Sequence, residues 1–244
     1  MIAEAPSQPS DMRAWIHTRR GPPSTILSLS KTMKAPTLTS PTSVLIRVSH
    51  AALNPGGSIF MQLCPFIFRA SPAIPELDFS GTITRIGSDV PSARNLKPGT
   101  QVFGSVPISA HTGSSSGALA EYVVVPADYV IPKPVNVSFE EVAGLPVAGS
   151  TALAVVEKAR LKRGDSVLVN GASGGVGSMV IQMVRDAVGE SGTVVAICSR
   201  KNFEMVKQLG ADEVSTQDIS HPCCPVSFVS RRQLLEIIVS ILQW

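Results

Sequence analysis

The residues that most plainly could do chemistry are Ala172, Ser173, Gly174, Gly175, Val176 and Gly177, a glycine-rich run headed by one small residue. Glycines so spaced let a main chain turn tightly and approach a polyanion, and a helix starting inside the run points its free amides at the same place. The chemistry implied is recognition of a dinucleotide pyrophosphate. Alone, such a cluster signals no more than a tight turn, so its context decides. Further on stand Ser199, Arg200 and Lys201. A carboxylate at that place in a nucleotide-binding fold would bond a ribose 2′-hydroxyl, whereas a hydroxyl with two cations suits a 2′-phosphate. The trio favours NADPH over NADH; the competing reading is that the two cations open a solvated helix.

The elements that must position these residues follow from periodicity. Residues 166–170 form a continuous apolar run of strand type directly before the glycines, and an apolar helical period continues from them to about Val188. A second strand over 193–197, a second helix over about 202–209 and a short third strand over 213–215 continue the alternation. Strands and helices alternating in this way predict βαβ units and a parallel sheet. Ser138 with Glu141 three residues on predicts a helix start, since hydroxyl and carboxylate can satisfy each other's main-chain amides. The earlier part reads differently. Short β-branched runs at 44–48, 80–86, 101–103 and 121–125, punctuated by turns such as Lys97-Pro98-Gly99, predict a β-rich barrel or sandwich. Beyond about residue 218 the alternation stops. His221-Pro222-Cys223-Cys224-Pro225 breaks any helix, and 231–243 reads as a short apolar helix. The expected organisation is an extension over 1–11, a β-rich domain over 12–134, a nucleotide-binding domain over 135–220 and an atypical tail over 221–244.

Composition narrows the function classes. A chain of 244 residues with 44% hydrophobic and 16% charged residues is of ordinary globular type. The net charge of +3, with Lys and Arg scattered, does not form the basic stripe that a nucleic-acid backbone requires. Cys64, Cys198, Cys223 and Cys224 form neither a CxxC pair nor a disulfide framework, which fits reduced thiols in a cytoplasmic compartment. Their spacing, with four histidines, offers no zinc ligand set, and Cys223 and Cys224 beside His221 read as incidental. The apolar stretch at 237–242 is far shorter than the roughly 20 residues of a membrane span. The acidic, Pro- and Ser-containing start lacks the features of a cleaved targeting segment.

Several further motifs occur in order with the glycine run: Asn54-Pro55, Leu77-Asp78-Phe79-Ser80-Gly81, Lys97-Pro98-Gly99, Gly117 through Tyr122, Gly149-Ser150-Thr151-Ala152, and Leu209-Gly210-Ala211-Asp212. By this ordered set, from about residue 12 to 214, the chain resembles the zinc-free quinone oxidoreductase (zeta-crystallin-like) branch of the medium-chain dehydrogenase/reductase superfamily. The resemblance implies an α/β protein: an N-terminal GroES-like β-rich catalytic domain followed by a Rossmann parallel-sheet domain, with the active site in the cleft between them. It implies hydride transfer from NADPH to a quinone or an α,β-unsaturated carbonyl, with an enoyl thioester as the alternative substrate. It places Asn54 at the nicotinamide side as the candidate catalytic residue, and Thr151 near the same end of the cofactor. The rival readings are an Asn starting a turn before Pro55 and a hydroxyl bonded to its own helix. Zinc-dependent relatives carry Cys at the place of Asn54 and Gly-His-Glu at 78–80, so no metal is expected. The family pattern also places an Asp and a Tyr where this chain has Gly57 and Ile59, which removes a candidate proton donor.

A full Rossmann sheet has about six parallel strands in two halves, and the pattern here covers one half before it stops. The chain is therefore expected to hold a C-terminally truncated, incomplete domain whose third strand lies at an edge. The apolar segment 234–239 is expected either to cover part of that edge or to drive self-association, giving a homo-oligomer or misfolding. Two further functional readings stay open: a non-catalytic nucleotide-binding protein, and a fragment without activity.

Overall fold

In the computed structural model, residues 9–66 and 70–216 are described, together with the backbone of Leu234–Ile238. Most of the extension over 1–11, and His221, Cys223 and Cys224 of the tail, lie outside the described residues. The chain divides into two compact units after Val147.

The first unit is β-rich because its apolar residues alternate with polar ones at a period of two. Strand β1 (Asp11–Ile16) pairs antiparallel with β2 (Ser28–Lys34), with helix α1 (Pro23–Ile26) between them. A five-stranded antiparallel sheet follows in the order β6-β3-β4-β5-β7, built from β3 (Ser43–Ala52), β4 (Asp78–Ile86), β5 (Gln101–Ser105), β6 (Tyr122–Pro126) and β7 (Val130–Pro132). Each run singled out by its β-branched residues lies in one of these strands, apart from Glu121, which precedes β6. Their inward residues, among them Val44, Ile46, Phe79, Ile83, Val102, Val123 and Val125, make one core. Helix α2 (Pro55–Leu63) follows β3, and α3 (Ile108–Gly113) follows β5.

The capping box forms as its spacing demands: the Ser138 hydroxyl accepts the Glu141 N–H at 3.1 Å, and the Glu141 carboxylate accepts the Ser138 N–H at 2.7 Å. The helix it starts, α4 (Phe139–Ala143), stops at Gly144, and α5 (Leu145–Ala159) then begins with Pro146 in its first turn. Proline suits that place because its missing N–H would be unpaired there in any case. Helix α4 packs on β4, where the Ser80 hydroxyl donates to the Phe139 carbonyl at 2.6 Å.

The second unit holds β8 (Ser166–Asn170), α6 (Gly175–Val188), β9 (Thr193–Ile197), α7 (Phe203–Gln208), β10 (Glu213–Ser215) and β11 (Leu234–Ile238). All pairings are parallel, in the order β10-β9-β8-β11. Helix α6 buries Val176, Val180, Ile181, Val184 and Val188 along one stripe, against Val167, Val169, Val194 and Ala196 of the sheet. Full burial of such a side chain is worth about 1.5–3 kcal/mol, so this stripe outweighs the weak helix propensity of its valines and glycines.

One expectation is overturned. Residues 234–238, read as part of an apolar helix, form a strand, and it lies beside β8 rather than over the edge strand β10. Leu-Leu-Glu-Ile-Ile is too short for its periodicity to separate strand from helix, and its register partners Ser166 to Asn170 belong to a strand with one open side. With β11 in place the order corresponds to 3-2-1-4, and the direction of winding reverses between β8 and β11.

Ending the chain after Thr216 would leave the β11 side of β8 unpaired. We expect the thermal midpoint of the chain to fall by roughly 5–10 °C, the scale of a few kcal/mol in a chain of this size. An unchanged midpoint on comparing the two chains by calorimetry would show that β11 contributes nothing to the sheet.

Candidate functional site

The glycine run leaves the carboxyl end of β8 at the point where the winding reverses, the place where open parallel sheets bind ligands. Gly171 makes the turn at φ +69°, and the Gly174 N–H closes it on the Gly171 carbonyl at 3.0 Å. The sequence pattern set the first turn residue at Ala172, but the structure sets it one position earlier. Ala172 is wholly buried, and its N–H donates to the Ile197 carbonyl at 3.1 Å, tying the run to the end of β9. Gly174 takes the N-cap position of α6 with no side-chain cap, so the amides of the first turn have no capping side chain. Gly177 is the tightest point: a Cβ there would lie 2.2 Å from the Gly171 carbonyl oxygen and 2.9 Å from the Ala172 Cα. A Cβ at Gly175 would meet nothing within 4 Å, so space is left over the first turn. Val176 is buried beneath it in the core.

A residue that sequence reasoning missed joins this loop to the end of β9. The Asn202 amide Nδ2 lies 2.9 Å from the Ser173 hydroxyl and 3.1 Å from the Ser199 hydroxyl. Ser199, Arg200 and Lys201 are exposed on the short turn that precedes α7, with the Asn202 N–H donating to the Ser199 carbonyl at 2.9 Å. Thus Ser173 of the glycine loop and Ser199 of the cationic turn share one amide. The available signal was an Asn three residues after a Ser at a strand end, a common turn pair. Thr151 stands on an exposed position of α5, next to the buried Ala152.

The first unit holds a different constellation around Asn54. Asn54 occupies the N-cap of α2 without capping it. Instead its Nδ2 donates to Asp78 Oδ2 at 3.1 Å, and its main-chain N–H donates to Glu76 Oε2 at 3.0 Å. Asp78 Oδ2 also accepts the Val147 N–H at 3.2 Å, while Asp78 Oδ1 is buried without a hydrogen bond. Burial raises the Asp78 pKa against the hydrogen bonds from Asn54 and Val147; Ser105 favours the charge weakly, without reaching hydrogen-bond geometry to Oδ1. Burial likewise pushes Glu76 up to about 7, opposed by the Asn54 N–H and reinforced by the neighbouring Asp78. Glu76 holds φ +66°, in the left-handed region, and its carboxylate fills the space beside Gly57: a Cβ on Gly57 would lie 2.2 Å from Glu76 Oε1. Nothing in the sequence pattern marked Glu76 or gave Gly57 this role. Among the described residues no group of three or more His, Cys, Asp or Glu side chains is arranged to hold a metal. No helix among them is long and apolar enough to cross a membrane.

Comparison with known proteins gives a consistent picture. Residues 40–135 match the alcohol dehydrogenase GroES-like domain. The chain is 39% identical over 209 residues to a 2-methylene-furan-3-one reductase of Solanum lycopersicum, covering 84% of this chain and 52% of that one. It is 36% identical over 211 residues to a chloroplastic NADPH-dependent alkenal/one oxidoreductase of Arabidopsis thaliana, with the same coverage of 84% and 52%. The chain thus spans about half the length of these relatives. Among solved structures it is similar to the quinone oxidoreductase from Coxiella burnetii, at 32% identity and a TM-score of 0.71, covering 84% of this chain and 62% of that one.

Two outcomes follow. Gly177→Ala presses a methyl into main-chain atoms that cannot rotate away, so it should cost about 1–3 kcal/mol in chemical denaturation; a cost near zero would show that α6 is not held this close to β8. For Glu76 the folded pKa lies above the usual 4.5, so the native chain binds this proton more tightly than the unfolded one. The stability this contributes is complete below the unfolded value and is lost as pH rises through about 7. Glu76→Gln removes the titration, so the variant should gain on the wild type between about pH 5 and pH 8, by no more than about 3 kcal/mol. Parallel stability-against-pH curves for the two chains would contradict it.

Proposed function

We propose that this chain, a member of the medium-chain dehydrogenase/reductase superfamily through its GroES-like domain and its relatives, binds NADPH and reduces quinones or α,β-unsaturated carbonyls without zinc. The observation that carries this reading is the glycine turn at the switch point of the parallel sheet, joined through Asn202 to a turn bearing Ser199, Arg200 and Lys201 and no carboxylate. In the proposal, main-chain amides over 175–177 receive the pyrophosphate, with Ala172, Ser173 and Gly174 shaping the loop. Ser199, Arg200 and Lys201 receive the 2′-phosphate through charge-assisted hydrogen bonds. Thr151 serves the nicotinamide end of the cofactor. When bound, NADPH supplies a hydride from its nicotinamide ring.

The protein's own contribution is positional. Asn54 offers a carboxamide to orient the acceptor or the cofactor, and holding reactants at near-contact distance carries most of the rate. The places of zinc ligands in related enzymes are taken here by Asn54 and Asp78-Phe79-Ser80. Asn54 hydrogen-bonds Asp78, and Ser80 hydrogen-bonds the Phe139 carbonyl, so this donor set does not suit zinc. Relatives named for methylene-furanone reduction, alkenal/one oxidoreduction and quinone oxidoreduction support the substrate class. A second reading, nucleotide binding without turnover, is favoured by Gly57 and Ile59 at places where the family pattern has Asp and Tyr.

Thermal unfolding with each nucleotide tests the binding. A ligand at about 100 times its dissociation constant stabilises by about 2.7 kcal/mol. For this size that is a rise of roughly 5–10 °C, expected with NADPH and much smaller with NADH. Replacing both Arg200 and Lys201 with Ala should weaken NADPH binding about 10–100-fold and leave NADH binding nearly unchanged. A midpoint indifferent to both nucleotides sinks the reading, and a shift without NADPH consumption in the presence of a quinone or enone selects the second one.

A further inference from the structure

We propose that Glu76 is a positioning residue for Asn54, fixing which atom of the Asn54 carboxamide is presented to a ligand. The inference rests on the reading of Asn54 as the residue beside the reacting groups, and it deepens that reading.

The local geometry is unusual for an asparagine that opens a helix. At an N-cap the side-chain oxygen ordinarily accepts an amide of the first turn, and Asn54 makes no such bond. The Glu76 carboxylate sits there instead, accepting the Asn54 main-chain N–H and lying against Gly57 in the first turn of α2. A carboxylate at a helix N-terminus serves the dipole that a capping oxygen would serve. The Asn54 side chain is thereby released from capping and given to Asp78, to which Nδ2 donates. Asn54 Oδ1 then receives no hydrogen bond among the described residues and is not sealed from solvent.

Two features show that the arrangement is held rather than accidental. Glu76 adopts φ +66°, which an L side chain keeps only where its surroundings hold it. Its carboxylate also occupies the volume that any side chain at Gly57 would need, so the two residues fit only as a pair. The consequence is a polarity. With charge on Asp78, Asn54 points a donor inward and offers an acceptor, which suits a ligand bearing N–H or O–H, such as a primary carboxamide. Protonation of Glu76 removes a negative charge from beside Asn54 and Asp78, and a proton on Asp78 gives that carboxyl a donor of its own, so the Asn54 amide can turn over and reverse what it offers. The charged and titratable groups around the pair are few. Helix α2 carries none, β4 contributes Asp78 with Arg85 at its far end, β3 contributes Arg47 and His50, α4 contributes Glu140 and Glu141, the segment 115–119 carries none, and α3 contributes His111 against Phe60.

The test is the Asn54 side-chain amide signal in nitrogen-15 NMR of the full chain, assigned by its loss in Asn54→Asp and followed across pH. In the wild type a single transition with midpoint about 7 is expected, and in Glu76→Gln it should disappear. Glu76→Gly, which relieves the left-handed backbone while deleting the carboxylate, guards against a folding defect and should also abolish the transition. Gly57→Ala, which displaces the carboxylate, should shift the Asn54 signal toward its position in Glu76→Gly. The same Asn54 transition in Glu76→Gln as in the wild type, or a wild-type signal that does not move with pH, would overturn the proposal. If NADPH leaves the chain's thermal midpoint unchanged while the Asn54 transition depends on Glu76, the positioning stands and the enzymatic reading falls. The opposite pair of results separates them the other way.

Discussion

A helix start holds an anion only if its first turn comes close to the strand before it, and here that approach is set by main-chain atoms. With no side chain at Gly177, the first turn of α6 can sit against Gly171 and Ala172. The stripe of Val180, Ile181, Val184 and Val188 then presses the rest of the helix onto β8 and β9. The two requirements reinforce each other. Burial of the stripe supplies the force, and the bare α-carbon sets the distance at which it can act. The uncapped amides of the first turn come to lie at the carboxyl end of β8 through this packing together with the turn that the Gly174 N–H closes on the Gly171 carbonyl. The neighbouring cationic turn is then brought to the same end of the sheet by β9, and Asn202 links the two through Ser173 and Ser199.

The two halves of the chain treat charge in opposite ways. In the second unit the polar groups face outward: α6 has no capping side chain, and Ser199, Arg200 and Lys201 are exposed. An incoming phosphate would find its partners already in place and would reorganise little. In the first unit the acids are enclosed. Asp78 and Glu76 are buried together, each disfavoured as an anion by lost hydration and Glu76 further by the neighbouring Asp78, and the Asn54 groups offset part of that cost. One site waits for charge and the other holds its own. The buried acids act on orientation because every hydrogen bond they accept from Asn54 removes a freedom from it.

The repeating elements were legible because burial imposes its period on composition. The β-branched runs of the first unit and the 166–215 alternation each fold as their spacing requires, and the box of Ser138 and Glu141 caps the helix it announces. What escaped the sequence were features with no period. Gly171 rather than Ala172 makes the turn, because a GxGxxG-like pattern does not say which neighbouring residue takes positive φ. Asn202 depends on two loops meeting in space. Glu76 lies 22 positions from Asn54 and could be linked to it only once β3, α2 and β4 were placed. Gly57 read as a loss of a carboxylate; in the fold it is the vacancy that another carboxylate fills.

The strand β11 shows the same limit from the side of the sheet. A short parallel strand reads as a largely apolar run, and nothing in Leu-Leu-Glu-Ile-Ile names its neighbour. The neighbour is chosen by which edge is open. β10 offers three residues to a partner, whereas β8 offers five, all of them already aligned by β9. A five-residue strand beside β8 forms a longer ladder and turns the one-directional winding of β8, β9 and β10 into an order with a reversal. That reversal opens the crevice above β8, since successive connections leaving on one side would cover it. The segment read as an apolar helix thus lies beside the strand whose carboxyl end leads into the glycine turn.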